Sequence, residues 1–272
     1  MPRIAVNGVH LNVTDNGNGY PLVMLHGFTG NVSNWGPHLG VWSEFRCVSI
    51  DLLGHGLSDC PDNPSRYQPE LAVQDVLALF DCLSINRAVI LGYSMGGRLA
   101  LLLSLMAPER VQGLILESAS FGINNIAERN DRVTKDEELA SFIEMNGVQE
   151  FVDYWENLPL FSSQRKLPNS VQAAVRSQRL QSRAKGLANS LRGMSVGHQK
   201  SVLDQVPSIL LPSLIVVGEN DQKYCDIGKH MASLMPKSQL EIIPNCGHTV
   251  HLESPIAFAN IVKDYASSCW IT

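Results

Sequence analysis

Six short runs of apolar, β-branched-rich residues, each closing on a Gly-rich or polar turn, constrain this chain more than any other feature. They read PLVMLHG, FRCVSID, RAVILGYS, VQGLILES, PSLIVVGEND and SQLEIIPNCGH. Strands that are apolar at nearly every position must be covered on both faces, as in a parallel sheet flanked by helices. Segments of helix length stand between them, at 69–83, 94–106, 225–234 and 255–266. In front, VNGVHLNV alternates and turns at Asn7-Gly8, which predicts an antiparallel hairpin. The alternation predicts an α/β class: a mostly parallel, doubly wound sheet led by that hairpin.

The pattern breaks between Ser118 and Val206. Helical periodicity continues there, but no convincing strand does. This segment holds eleven Lys and Arg against ten Asp and Glu, while the rest holds ten against sixteen. An insertion of different charge balance predicts a helical cap over the carboxyl edge of the sheet, where α/β ligands bind. On charge alone, a solvated helical decoration explains it better. The expected organisation is a core over 1–118, a helical cap over 119–206 and a second part of the core over 207–272.

Several function classes are excluded by composition. The net charge of −5 offers nothing to a nucleic acid. The start, MPRIAVNGVH, lacks a signal-type apolar stretch, and no run approaches the about 18 residues of a membrane helix. The six cysteines are scattered, with no CxxC pair, so free thiols in a cytoplasmic setting are expected. The terminal CWIT reads as an ordinary tail. Neither metal nor cofactor is expected, since there is no Gly-rich phosphate loop, no HExxH and no carboxylate cluster. The expected partner is a small molecule, with the chain a monomer or weak homo-oligomer.

Chemistry concentrates at three turns. Gly92-Tyr93-Ser94-Met95-Gly96 matches G-x-S-x-G between a strand and a helix, the context of a nucleophile elbow. A serine nucleophile needs a base and an orienter. His248 follows the last strand in NCGHTVHLESP, and Asp221 ends the preceding one in VVGENDQ. The order Ser94, Asp221, His248 is that of the α/β-hydrolase triad. Glu219, His251 and His55 are weaker rivals: Glu219 still turns out of its strand, His251 reads as a packing or surface residue, and His55 reads as a structural loop residue. In LHGF, the Phe28 N–H pairs with the Met95 N–H as a predicted oxyanion hole, and His26 supports the loop. A serine at the elbow argues against the dehalogenase and epoxide-hydrolase branches, which use aspartate there. Arg98 lies one helical turn beyond Ser94. It is either paired with a core carboxylate or aimed at a substrate carboxylate, and the arginines of the insertion favour an anionic substrate.

GYSMGGRLAL, PERVQGLILES, AERNDRVTKDEELA, WENLPLF, LANSLRGMSVGHQKS and GHTVHLESP together resemble the 2-succinyl-6-hydroxy-2,4-cyclohexadiene-1-carboxylate synthases of menaquinone and phylloquinone biosynthesis. The elbow and histidine motifs are shared widely; W-x-x-L-P-L-F and S-L-R-G-M in the insertion are more specific. The resemblance implies an α/β-hydrolase fold and a lyase that removes pyruvate by 2,5-elimination, with the activated serine as base. It implies substrate contacts at Tyr93, Arg98, Arg132, Trp155 and Arg176. Arg129 competes with Arg132 for register, Trp155 reads equally as a cap-core aromatic, and Arg176, Arg179 and Arg183 share a helical face on which a solvated stripe accounts for at least two. The same machinery fits a carboxylesterase acting on small acyl esters, a C–C bond hydrolase, or a receptor on a hydrolase scaffold.

Overall fold

The computed structural model describes residues 3–271. Met1, Pro2 and Thr272, at the ends of the ranges read above, lie outside the described residues. Arg3–Val6 (β1) and Val9–Asn16 (β2) pair antiparallel, with Arg3 opposite Asn12. Asn7 (φ 45°) and Gly8 (φ 81°) form the two-residue turn, whose left-handed pair matches the twist of the flanking strands. Next come Tyr20–Leu25 (β3), Phe45–Ile50 (β4), Pro69–Cys82 (α1), Ala88–Tyr93 (β5), Met95–Met106 (α2) and Val111–Glu117 (β6). Three helices intervene: Ile126–Glu156 (α3), Asn169–Leu180 (α4) and Ala184–Met194 (α5). The chain then returns through Ser213–Gly218 (β7), Gln222–Leu234 (α6), Ser238–Ile243 (β8), Val250–Glu253 (α7) and Pro255–Ser268 (α8).

The sheet order is β1-β2-β4-β3-β5-β6-β7-β8, with β2 antiparallel to β4 and every later pair parallel. Alternate residues of the central strands feed two cores. Val23, Leu25 and Ile90 pack with Val73 and Phe80 of α1 and Leu99 of α2. Leu22, Met24, Val89 and Leu91 pack on the other face with Trp35, Trp42 and Phe258 of α8. Each such aliphatic side chain, fully buried, contributes about 1.5–3 kcal/mol. β8 departs from the fully covered pattern: as the edge strand it is half exposed, with Ile242 at the surface. α6 begins three residues before the expected 225, because the Asp221 carboxylate caps it by accepting the Tyr224 N–H.

The inserted helices carry an apolar cluster of their own, centred on Ile143, Phe151, Leu187 and Leu191, and Phe28 of the β3 loop packs against it. α3 is two helices joined at Gly147, whose φ of 83° and ψ of 176° interrupt the helical run.

The turn from β5 to α2 is sharp because backbone meets backbone there. A Cβ on Gly92 would lie 2.4 Å from the Gly96 carbonyl oxygen and 2.6 Å from Gly97 Cα. Gly92→Ala is therefore expected to overpack the turn by about 1–3 kcal/mol. At about 2–4 °C per kcal/mol for a chain of this size, the melting temperature should fall by several degrees. A melting curve superimposable on that of the wild type would show that the turn relaxes freely.

Candidate active site

Ser94 stands at the turn with φ 50° and ψ −105°, a strained conformation for a non-glycine residue. Its N–H donates to the Glu117 carbonyl, 2.8 Å away on the neighbouring strand, so the strain is held by the sheet. Ser94 Oγ lies 3.1 Å from His248 Nε2, and His248 Nδ1 lies 2.7 Å from Asp221 Oδ2. With Nδ1–H donating to the carboxylate, Nε2 is left as the acceptor for the serine O–H. Both His248 and Asp221 are buried. One carboxylate serves two elements, since Asp221 Oδ1 caps α6 while Oδ2 holds the imidazole.

The β3 loop is drawn against this turn. A Cβ on Gly27 would lie 2.6 Å from the Tyr93 ring, and one on Gly96 would lie 2.2 Å from the Leu25 carbonyl oxygen. Phe28 and Met95 line one cavity with Ser94, and Met95 opens α2, where the first backbone N–H groups have no helical acceptor. His26 donates from Nδ1 to the Gly27 carbonyl (2.7 Å) and accepts the Leu52 N–H at Nε2 (3.0 Å). Its ring packs 5.0 Å from that of His55, which bonds the Leu53 carbonyl. Burial pushes His26 down to about 4 and His55 to about 3, so both rings are neutral struts of the loop.

The cavity over Ser94 encloses about 120 Å³. Tyr93, Arg98, Arg132 and Trp155 line it. The Tyr93 hydroxyl pairs with Thr249 Oγ1 at 2.9 Å. Arg98 is buried; one amino group donates to the Met194 carbonyl (2.9 Å), the other to Gln199 Oε1. Arg132 is held by Asp136 at 2.8 Å; Arg129, one turn earlier, does not line the cavity. Trp155 is cap core and cavity wall at once, packed on Phe28, Phe151 and Phe161 with its indole N–H buried and unpartnered.

Arg176 is not brought to Ser94. Asp153 (2.5 Å) and Glu156 (2.7 Å) of α3 hold its guanidinium at a separate cleft of about 340 Å³. The shared stripe expected of Arg176, Arg179 and Arg183 fails because α4 ends at Leu180. Arg179 instead turns inward, buried over the Phe161 ring (5.0 Å) and bonded to Gln164 Oε1 (3.1 Å). Gln164 then donates to Thr249 Oγ1 at 2.8 Å, which links the insertion to the Tyr93 hydroxyl. Among the rivals, Glu219 accepts the exposed Asn245 N–H. His251 is neither surface nor simple packing: its Nδ1 and backbone N–H both bond the Glu117 carboxylate, and both side chains are fully buried. Sequence reasoning missed Gln199, Glu117 and Tyr224. Tyr224 alone carried a signal, three residues past Asp221 on the first helical turn.

A strained serine at a strand–helix turn, in hydrogen-bond line with a buried histidine and aspartate, is the arrangement of one structural class. The chain belongs to the alpha/beta hydrolase fold family, whose model matches residues 20–255. It is 42% identical over 264 residues, 96% of each chain, to a putative 2-succinyl-6-hydroxy-2,4-cyclohexadiene-1-carboxylate synthase of Bacillus subtilis (strain 168). It is 30% identical to the synthase of that name from Photorhabdus laumondii, over 90% of this chain and 85% of the other. The structure of MenH from S. aureus superposes with a TM-score of 0.91 at 30% identity, covering 96% of this chain and 98% of that one. Within the fold, the chain belongs with these synthases.

The buried histidines give a pH signature. His38, pushed to about 4 by burial and then by His251, joins His26 and His55. In the unfolded chain each titrates near about 6.5. As pH falls below that value the unfolded state takes up protons first, so stability present above about 6.5 is lost toward 4 for His26 and His38, and toward 3 for His55. Each ring removes on the order of 1.4 kcal/mol per pH unit. Urea midpoints measured at pH 7.5, 6 and 5 should decline steadily; a flat series would contradict neutral, buried rings.

Proposed function

We propose that this chain is a lyase that eliminates pyruvate from a succinyl-enolpyruvyl-hydroxycyclohexene carboxylate, giving 2-succinyl-6-hydroxy-2,4-cyclohexadiene-1-carboxylate in menaquinone or phylloquinone biosynthesis. The observation that carries this reading is Arg98. Its guanidinium is buried beside Ser94, bonds only a carbonyl and an amide oxygen, and has no ion-pair partner among the described residues. Burial pulls it down to about 10, which leaves it charged near neutrality. A buried charge without a counter-charge is costly, and a substrate carboxylate supplies what the protein withholds. Arg132 and the orphan indole N–H of Trp155 add donors to the same cavity.

In this reading His248 accepts the Ser94 proton and Ser94 Oγ removes a ring proton from the substrate. The electron pair moves through the ring, the C–O bond to the enolpyruvyl group breaks, and the departing enolate takes up the proton held by His248 and leaves as pyruvate. The Phe28 and Met95 N–H groups hold the dienolate-like charge that builds up in between. No acyl-enzyme forms. The setting we read is cytoplasmic, supported by cysteines that form no disulfide with one another.

Ser94→Ala is expected to lower pyruvate release by about 10⁴- to 10⁶-fold with the fold intact. More than about a tenth of the activity remaining would remove Ser94 from the step. Arg98→Ala separates this lyase from a carboxylesterase. Stranding a substrate carboxylate costs roughly 2–5 kcal/mol, about 30- to several-thousand-fold in kcat/KM. p-Nitrophenyl acetate has no carboxylate to strand, so pyruvate elimination should fall far more than ester hydrolysis. Equal losses on the two substrates would return Arg98 to the scaffold.

A further inference from the structure

Tyr224 stands on the wall of the Ser94 cavity, together with Arg98 and Arg132. Its position is fixed twice over. Its N–H is capped by Asp221, the carboxylate that also holds His248, and its ring sits 4.5 Å from the His248 ring at 60°. The hydroxyl at the far end of that ring has no hydrogen-bond partner among the described residues. Burial pushes the phenol up, with Arg98 and Arg132 drawing it down and Asp221 raising it, so it is protonated and acts as a donor. Two guanidiniums, which can only donate, and a phenol whose O–H is free to donate line this part of the cavity, and a carboxylate, which is acceptor-only with lone pairs for several donors, is the group that satisfies them together.

We propose that the Tyr224 hydroxyl is a substrate-contacting donor that hydrogen-bonds the carboxylate arm held by Arg98 and Arg132, an inference that rests on the lyase reading above. The contact is made to an arm that does not react, so it acts on the bound substrate and the transition state alike. Its rigid placement on the triad helix ties the depth at which that arm seats to the position of His248.

Tyr224→Phe tests this, because it keeps the ring on His248 and removes only the hydroxyl. Losing a hydrogen bond to a charged acceptor predicts a KM for pyruvate elimination raised by about ten- to a hundredfold, with kcat nearly constant. The ratio of elimination to p-nitrophenyl acetate hydrolysis, each as kcat/KM, should fall by the same factor, with the melting temperature shifted by no more than a degree or two. An unchanged ratio, or equal losses on both substrates with a lower melting temperature, overturns the contact and leaves Tyr224 as a packing ring. Wild-type protein that releases no pyruvate defeats the lyase reading by itself. The contact is then judged by succinate as an inhibitor of p-nitrophenyl acetate hydrolysis. An inhibition constant about tenfold weaker in the variant supports it, and equal constants in the two proteins overturn it.

Discussion

Backbone-to-backbone contact between the end of β5 and the first turn of α2 is the constraint on which the rest of the site depends. Gly92, Gly96 and Gly97 bring the strand, the helix and the β3 carbonyls so close that a methyl group at any of the three would meet neighbouring atoms at 2.6 Å or less. Ser94, between them, is forced to positive φ and lifted off the sheet. The same closeness puts Phe28 and Met95 on the wall of one cavity with Ser94. The lifted serine hydroxyl and the first N–H groups of α2 are thus consequences of a single packing event, and the Ser94 backbone is held there by its N–H bond to the Glu117 carbonyl.

Charge is arranged in layers around that turn. Below it, Glu117 and His251 form a fully buried pair, and Glu117 also gives its carbonyl to Ser94. This residue therefore connects the serine to the short helix α7 that follows His248. Above it, the arginines of the inserted helices and of α2 are satisfied unequally. Arg192 is clamped by Glu137 and Glu144, and Arg176 by Asp153 and Glu156, whereas Arg98 receives only neutral oxygens. A guanidinium left without a carboxylate in a protein rich in acidic partners points to the charge of the ligand.

The parallel strands, the leading hairpin and the helices between them were legible because each depends on local pattern: apolar runs, an Asn-Gly turn, and turn residues at strand ends. Ser94, Asp221 and His248 were placed by a related logic, since loops at the carboxyl ends of the parallel strands of one sheet lie along the same edge. What local pattern does not carry is the identity of a side chain's partner across the fold. Arg176 and Arg179 are three residues apart on one helix and Glu156 of α3 pairs with both, but Asp153 holds the first outward while Gln164 and the Phe161 ring draw the second inward. His251 looked inert because Glu117 lies 134 residues away. Gln199 has no motif at all; it matters because it meets Arg98 across the insertion.

The shared use of Asp221 has a consequence for how this scaffold can change. Its two oxygens join the initiation of a helix to the orientation of an imidazole, so neither task is free to drift without the other. Moving the acid to a different strand end would require a new cap for α6 as well as a new route to His248 Nδ1. Any lineage or design that relocates it must therefore recap α6 or carry the loss of a helix cap, about 0.5–2 kcal/mol, until it does.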